Sequence, residues 1–146
     1  MQVLQESLEI PGTVVDEREI PSDVALVAPL VSRIVDRLLE DGFILSDDRR
    51  KMELCLDEGI TNAVVHGNGG DFEMTVRTVL WQSDDAWGVV IQDQGQGFSP
   101  EDVDERPPEE TLWQESGRGI PLMALYMDDV SYYDGGRTLM LSRSRG

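Results

Sequence analysis

The sequence predicts an α+β fold, a two-layer sandwich in which a mixed, mostly antiparallel sheet carries its helices on one face. Three observations predict it. Apolar residues recur at helical spacing over two neighbouring stretches, about 24–40 and 47–66. Two strand-like runs, 72–81 and 87–91, are separated by the turn Ser83-Asp84-Asp85 and so pair antiparallel. A second such pair, Val130–Tyr133 and Thr138–Leu141, folds back around Asp134-Gly135-Gly136. At 146 residues, 40% of them hydrophobic, one domain with its own core is expected.

In chain order, residues 1–13 read as an N-terminal extension ending near the turn signal Pro11-Gly12, and 14–146 as the domain proper. Val14 to Ile20 reads as a strand whose charged centre suits a sheet edge. Pro21-Ser22-Asp23 is a helix entrance, with Ser22 expected as N-cap and Asp23 favourable to the helix dipole. The helix over 24–40 carries Val27, Leu30, Val31, Ile34 and Leu38 as a stripe and stops at Gly42. That stripe belongs to the core or, in part, to a subunit contact. Ser46-Asp47-Asp48 opens the second helix in the same manner. It buries Leu56, Gly59, Ile60, Ala63 and Val64 and ends at Gly67-Asn68-Gly69-Gly70.

In the strand over 72–81, alternation puts Phe72, Met74, Val76, Thr78 and Leu80 on one face. Trp87 to Ile91 is buried on more of its surface and runs straight into Asp93. Residues 94–116 have no period, and Pro100, Pro107 and Pro108 exclude a long helix. A loop of this length in a small domain serves as a lid or a binding loop, or is disordered. A short helix from Gly119 to Met127 is expected to turn Ile120, Met123, Ala124 and Met127 inward.

Composition excludes several classes. A formal net charge of −17, from 29 acids and 12 bases, argues against direct binding of nucleic acid through a basic patch and favours basic protein partners. No apolar run is long enough to span a bilayer, so no membrane segment is expected. The first ten residues lack the basic flank of a signal peptide. With one cysteine, Cys55, there is no intramolecular disulfide, and a cytoplasmic setting is expected. A single histidine excludes a two-histidine zinc motif, and no histidine is spaced to activate Cys55.

Three stretches carry the chemistry and read together as one nucleotide site. On the second helix Glu58, Asn62 and His66 follow one another by a turn. An amide oxygen at Asn62 suits Mg2+, which prefers oxygen ligands and keeps its waters. Glu58, one turn earlier, is placed to take a proton from an attacking group. His66 either contacts phosphate or buttresses the helix. Next, Asp93-Gln94-Gly95-Gln96-Gly97 ends a buried strand. A carboxylate fixed there can accept a hydrogen bond from the exocyclic amine of adenine, and glycines let backbone approach a flat base. Finally, Ser116-Gly117-Arg118-Gly119 opens a helix whose free N–H groups can cradle phosphate, with Arg118 adding a cation. There is no P-loop and no dinucleotide fingerprint.

The motifs Glu58-x-x-x-Asn62-Ala63-x-x-His66-Gly67, Asp93-x-Gly95-x-Gly97 and Gly117-x-Gly119, in this order, resemble those of the GHKL ATP-binding superfamily. Over about residues 14–143 the chain more narrowly resembles the anti-sigma-factor serine/threonine kinases of bacterial partner-switching systems. The run from Ser116 to Val130 and the Gly135-Gly136-x-Thr138 hairpin carry that narrower likeness. The resemblance implies the Bergerat fold, ATP and Mg2+ as cofactors, Asn62 as the metal ligand and Glu58 as general base. It implies adenine recognition by Asp93, with Gly95 and Gly97 shaping the pocket, His66 and Gly67 in the same site, and Gly117, Arg118 and Gly119 at the phosphates. Thr138 would support the adenine end, and about 98–116 would be the ATP lid.

The implied partners are a STAS-domain anti-anti-sigma protein, which is phosphorylated, a sigma factor, and a second copy of the chain in a homodimer, with the 24–40 helix as a possible contact. One departure bears on rate: some members carry a basic residue where Glu115 stands. The lone histidine excludes a histidine kinase, and a stand-alone regulator is expected. Two functions stay open, a serine/threonine kinase and an ATP-binding sequestering module without phosphoryl transfer.

Overall fold

The computed structural model describes residues 2–3, 8–97 and 120–146. The elements are β1 (Gln2–Val3), β2 (Thr13–Pro21), α1 (Val27–Glu40), α2 (Arg49–Asn62), β3 (Thr75–Gln82), β4 (Ala86–Gln92), α3 (Ile120–Tyr126), β5 (Asp129–Tyr133) and β6 (Thr138–Ser144). The strands form one open sheet in the order β1-β5-β6-β4-β3-β2. Only β1 and β5 pair in parallel; every other pair is antiparallel. This is the mixed, mostly antiparallel sheet that the order of elements predicts, and the helices pack against it. Among the described residues no helix is long and apolar enough to cross a membrane.

Alternation along the central strands sorts the core. Val76, Leu80, Val89, Ile91, Leu139 and Leu141 face the helices and meet Val31, Ile34, Leu38, Leu56, Ile60 and Met123. The opposite face holds a smaller cluster of Val79, Trp81, Val90 and Met140, on which Leu8 packs. The whole stripe of α1, from Val27 to Leu38, is buried in the main core. It is therefore core rather than subunit contact, and what α1 offers outward is the charged face of Arg33, Asp36, Arg37 and Glu40.

Three local expectations are corrected. The cap of the first helical turn is Asp23, whose carboxylate accepts the Ala25 N–H at 2.9 Å. Ser22 is buried instead, and its hydroxyl donates to the Met74 carbonyl at 2.8 Å. Phe72 is not in the strand: the chain after α2 turns through Asp71, whose side chain accepts the Glu73 N–H, and leaves Phe72 69% exposed. Met123 on α3 and Met127 just after it are buried, but Ala124 is exposed, one position round the helix from the buried Met123; the side chain of Ile120 lies outside those described.

Candidate functional site

The far end of α2 does not stop as an ordinary helix. After Asn62 it widens into a π turn over Ala63–Gly67, closed by the Asn68 N–H donating to the Ala63 carbonyl at 2.9 Å. Such turns interrupt α-helices often at functional sites. Here the widening brings the backbone of Gly67 against the end of β4. A Cβ on Gly67 would overlap the Asp93 carboxylate, and one on Gly95 would run into the Gly67 carbonyl oxygen. Deeper in, a Cβ on Gly59 would come within 2.9 Å of Ile91, so glycine lets α2 lie close on the sheet. The missing side chains at Gly59, Gly67 and Gly95 are what allow helix and strand loop to meet.

Between them lies a cleft. Gly59, Asn62, Ala63, His66 and Gly67 line it from the helix, Ile91, Asp93 and Gly97 from β4 and its loop, and Tyr132, Gly136, Arg137 and Leu139 from the closing hairpin. Asp93 is held at the mouth of the sheet. Its N–H donates to the Arg137 carbonyl and its carboxylate accepts the Gly95 N–H, both at 2.9 Å. Burial raises the Asp93 carboxyl above the ordinary aspartate range, against the pull of the Gly95 N–H and the Arg137 charge. Glu58 lies one turn before Asn62, outside the lining residues and half-buried. Burial raises its carboxyl too, and neighbouring Asp57 adds to the shift. Cys55, fully covered in the core, is pushed up to about 12 by burial, which removes it as a nucleophile.

Of the residues expected at the site, the fold thus brings Asn62, His66, Gly67, Asp93 and Gly97 to one cleft, with Gly95 against Gly67. It does not bring Thr138. The period-two alternation of β6 sends Thr138 to the opposite face of the sheet, where its hydroxyl meets the Gln92 amide at 3.3 Å. Gly117, Arg118 and Gly119, with Glu115 and the lid expected over 98–116, lie outside the described residues.

Two residues not singled out from the sequence hold the site together. Arg137 lines the cleft in the place expected of Thr138; counting back by two from inward-facing Leu139 would have found it. Asn68, 4% exposed, ties three segments: its amide donates to the Ser22 hydroxyl and the Thr75 carbonyl at 2.9 Å, and accepts the Gln94 N–H at 2.8 Å. No short motif announces it, because its partners are far apart in the chain. Asn68→Ala should destabilise the protein by about 1–3 kcal/mol, the usual cost of stranding buried polar partners. Urea unfolding of both proteins measures this, and a variant as stable as the parent would remove Asn68 from the account.

An open mixed sheet with its helices packed against it, and a cleft between the end of α2 and the end of β4, is the frame of an ATPase-type domain, and the chain belongs to the histidine kinase-like ATPase domain family, whose model matches residues 20–143. Its similarity to individual proteins is more specific. It is 33% identical over 89 residues to the anti-sigma F factor of Bacillus subtilis (strain 168), covering 58% of this chain and 60% of that one. It is 28% identical over 105 residues to the anti-sigma F factor of Geobacillus stearothermophilus, covering 68% and 71%. The match thus spans less than two thirds of the Bacillus subtilis relative's length.

Proposed function

We propose that this chain is an anti-sigma regulatory factor and a Mg-ATP-dependent serine/threonine kinase that phosphorylates a STAS-domain anti-anti-sigma partner and holds a sigma factor when not so engaged. The observation that carries the reading is the meeting of Asn62 and Asp93 across one glycine-lined cleft. The residues present fit ATP with Mg2+. Asp93 is a seated acceptor for the adenine amine, Gly67 and Gly95 let the helix end and the loop close around its carboxylate, and Asn62 supplies an amide oxygen of the kind Mg2+ takes. Among the described residues no cluster of three acidic, histidine or cysteine ligands offers a metal cage. A nucleotide-borne cation leaning on one protein oxygen needs none.

Bound ATP supplies the phosphoryl group and a cation that offsets its charge. The chain's own part is positioning and proton transfer. Glu58 takes the proton of the partner's serine hydroxyl as that oxygen bonds to the γ-phosphorus and the bridging oxygen leaves with ADP. A carboxylate whose proton affinity is raised by burial is the better acceptor, provided it is ionised at the working pH. Gly117, Arg118 and Gly119 complete the reading at the phosphates. The setting is the cytoplasm, and a homodimer through α1 would use its charged outer face.

The second reading, an ATP-binding sequestering module, is favoured by one observation: Glu58 lies outside the cleft lining while Asn62 and Asp93 lie within it. Incubation with Mg-ATP and a STAS-domain protein separates the two. A gain of about 80 Da on the STAS protein, one phosphoryl group, is expected. An unchanged mass after prolonged incubation, with ATP demonstrably bound, would leave the sequestering module.

A further inference from the structure

Resting on the nucleotide reading above, we infer that Arg137 is a positioning residue that sets base selectivity, by locking the loop that seats Asp93. The turn from β5 to β6 passes through Asp134, Gly135 and Gly136 with φ of 51°, 64° and 94°. This left-handed run lays the Gly135 carbonyl against Gly97, where a Cβ would collide with it, and delivers Arg137 to the cleft side of β6. There all three guanidinium nitrogens are engaged by carbonyls. Nε donates to Gly95 at 2.7 Å, one terminal nitrogen to Gln96 at 3.1 Å and the other to Asp134 at 3.0 Å. The Arg137 backbone carbonyl meanwhile accepts the Asp93 N–H. One residue therefore grips Asp93 through its main chain and the Gly95 and Gln96 carbonyls of the following loop through its side chain.

The consequence runs through Gly95. Its N–H is the donor that holds the Asp93 carboxylate, and its carbonyl is the acceptor that Arg137 holds, so anchoring Gly95 on its carbonyl side limits the swing of its N–H and with it the carboxylate's direction. A carboxylate so fixed accepts from the 6-amino group of adenine and opposes the 6-oxo group of guanine. If the loop is slack, the acceptor swings and the distinction fades, while phosphate and ribose contacts elsewhere are untouched. A planar fork with several donors can bridge three carbonyls; a lysine ammonium at the same position has one compact head and cannot span them.

The test is titration calorimetry with Mg-ATP and Mg-GTP on the parent, R137A and R137K, each checked by thermal melting. The expected result is a fall of about tenfold in the ATP-over-GTP preference of R137A, made by weaker ATP binding with GTP nearly unchanged, and a partial recovery in R137K. A folded R137A that keeps the parent's preference, or loses both nucleotides in equal proportion, overturns the inference. If R137A does not fold, R137K carries the test, and the parent's preference in that variant overturns it. A parent that binds ATP and GTP alike overturns base reading by Asp93 and this inference with it. A parent that binds neither overturns the nucleotide site itself.

Discussion

Glu58→Gln should bind Mg-ATP with the parent's affinity and transfer phosphate to the STAS partner at least about 100-fold more slowly, the low end of what a general base contributes. Glutamine keeps the size and the hydrogen-bonding reach of the side chain but cannot accept a proton. The same substitution should raise the melting temperature at neutral pH. The Glu58 carboxyl is raised in the folded chain, by burial first and Asp57 second, so folding disfavours its charged form. Its contribution to stability is complete below the unfolded glutamate pKa and is lost as pH rises through the higher folded value. At neutral pH the parent bears that loss and the glutamine variant does not; in acid the two should converge. Phosphoryl transfer by the parent should fail on the acid side at a pH above that of a free glutamate. Single-turnover kinetics and melts across pH check both halves. Normal transfer by the variant would remove Glu58 as base, and a lower melting temperature at neutral pH would contradict its strained burial.

Gly95→Ala should disrupt the site without replacing any of its polar side chains. The new methyl would enter the Gly67 carbonyl oxygen, which is backbone and cannot rotate away. Either the π turn or the loop after β4 must retreat. The second course breaks the Gly95 N–H bond to Asp93 and the Arg137 bond to the Gly95 carbonyl. A loss of nucleotide affinity of about 100-fold is expected from misplacement on this scale, with about 1–3 kcal/mol of destabilisation from overpacking. Gly69→Ala is the control. Nothing lies within 4 Å of its Cβ position, though its φ of 63° strains an alanine. It should lose some stability and keep nucleotide binding. Equal effects at the two positions in calorimetry and melts would show that helix and loop do not meet as described.

The elements were legible where one period dominated. The stripe of α1 is a local pattern and burial follows it, whereas β4 and much of β3 and β6 are buried on both faces because a second cluster covers the far side of the sheet. Local rules failed where a distant group competed. Ser22 has the chemistry of a cap, but the Met74 carbonyl and Asn68 amide, brought up by β3 and the end of α2, claim its hydroxyl. Phe72 has the right parity for the strand, but the Asp71 turn starts the ladder later, at Thr75. Thr138 and Arg137 are adjacent, and choosing between them means knowing which face of β6 looks at α2.

Residue types and spacing alone determined the class of fold and the acidic character of the chain, and brought forward Glu58, Asn62 and Asp93 as candidates for a nucleotide site. These are properties of short stretches, set by periodicity and by the chemistry of single groups. The tertiary structure alone decided that Gly59, Gly67 and Gly95 are contact points between helix and sheet, that Arg137 rather than Thr138 enters the cleft, and that Asn68 fastens the loop behind Asp93. The reason is physical: a missing Cβ, a guanidinium fork or a buried amide has meaning only through the partner that packing brings to it, and those partners are distant along the chain.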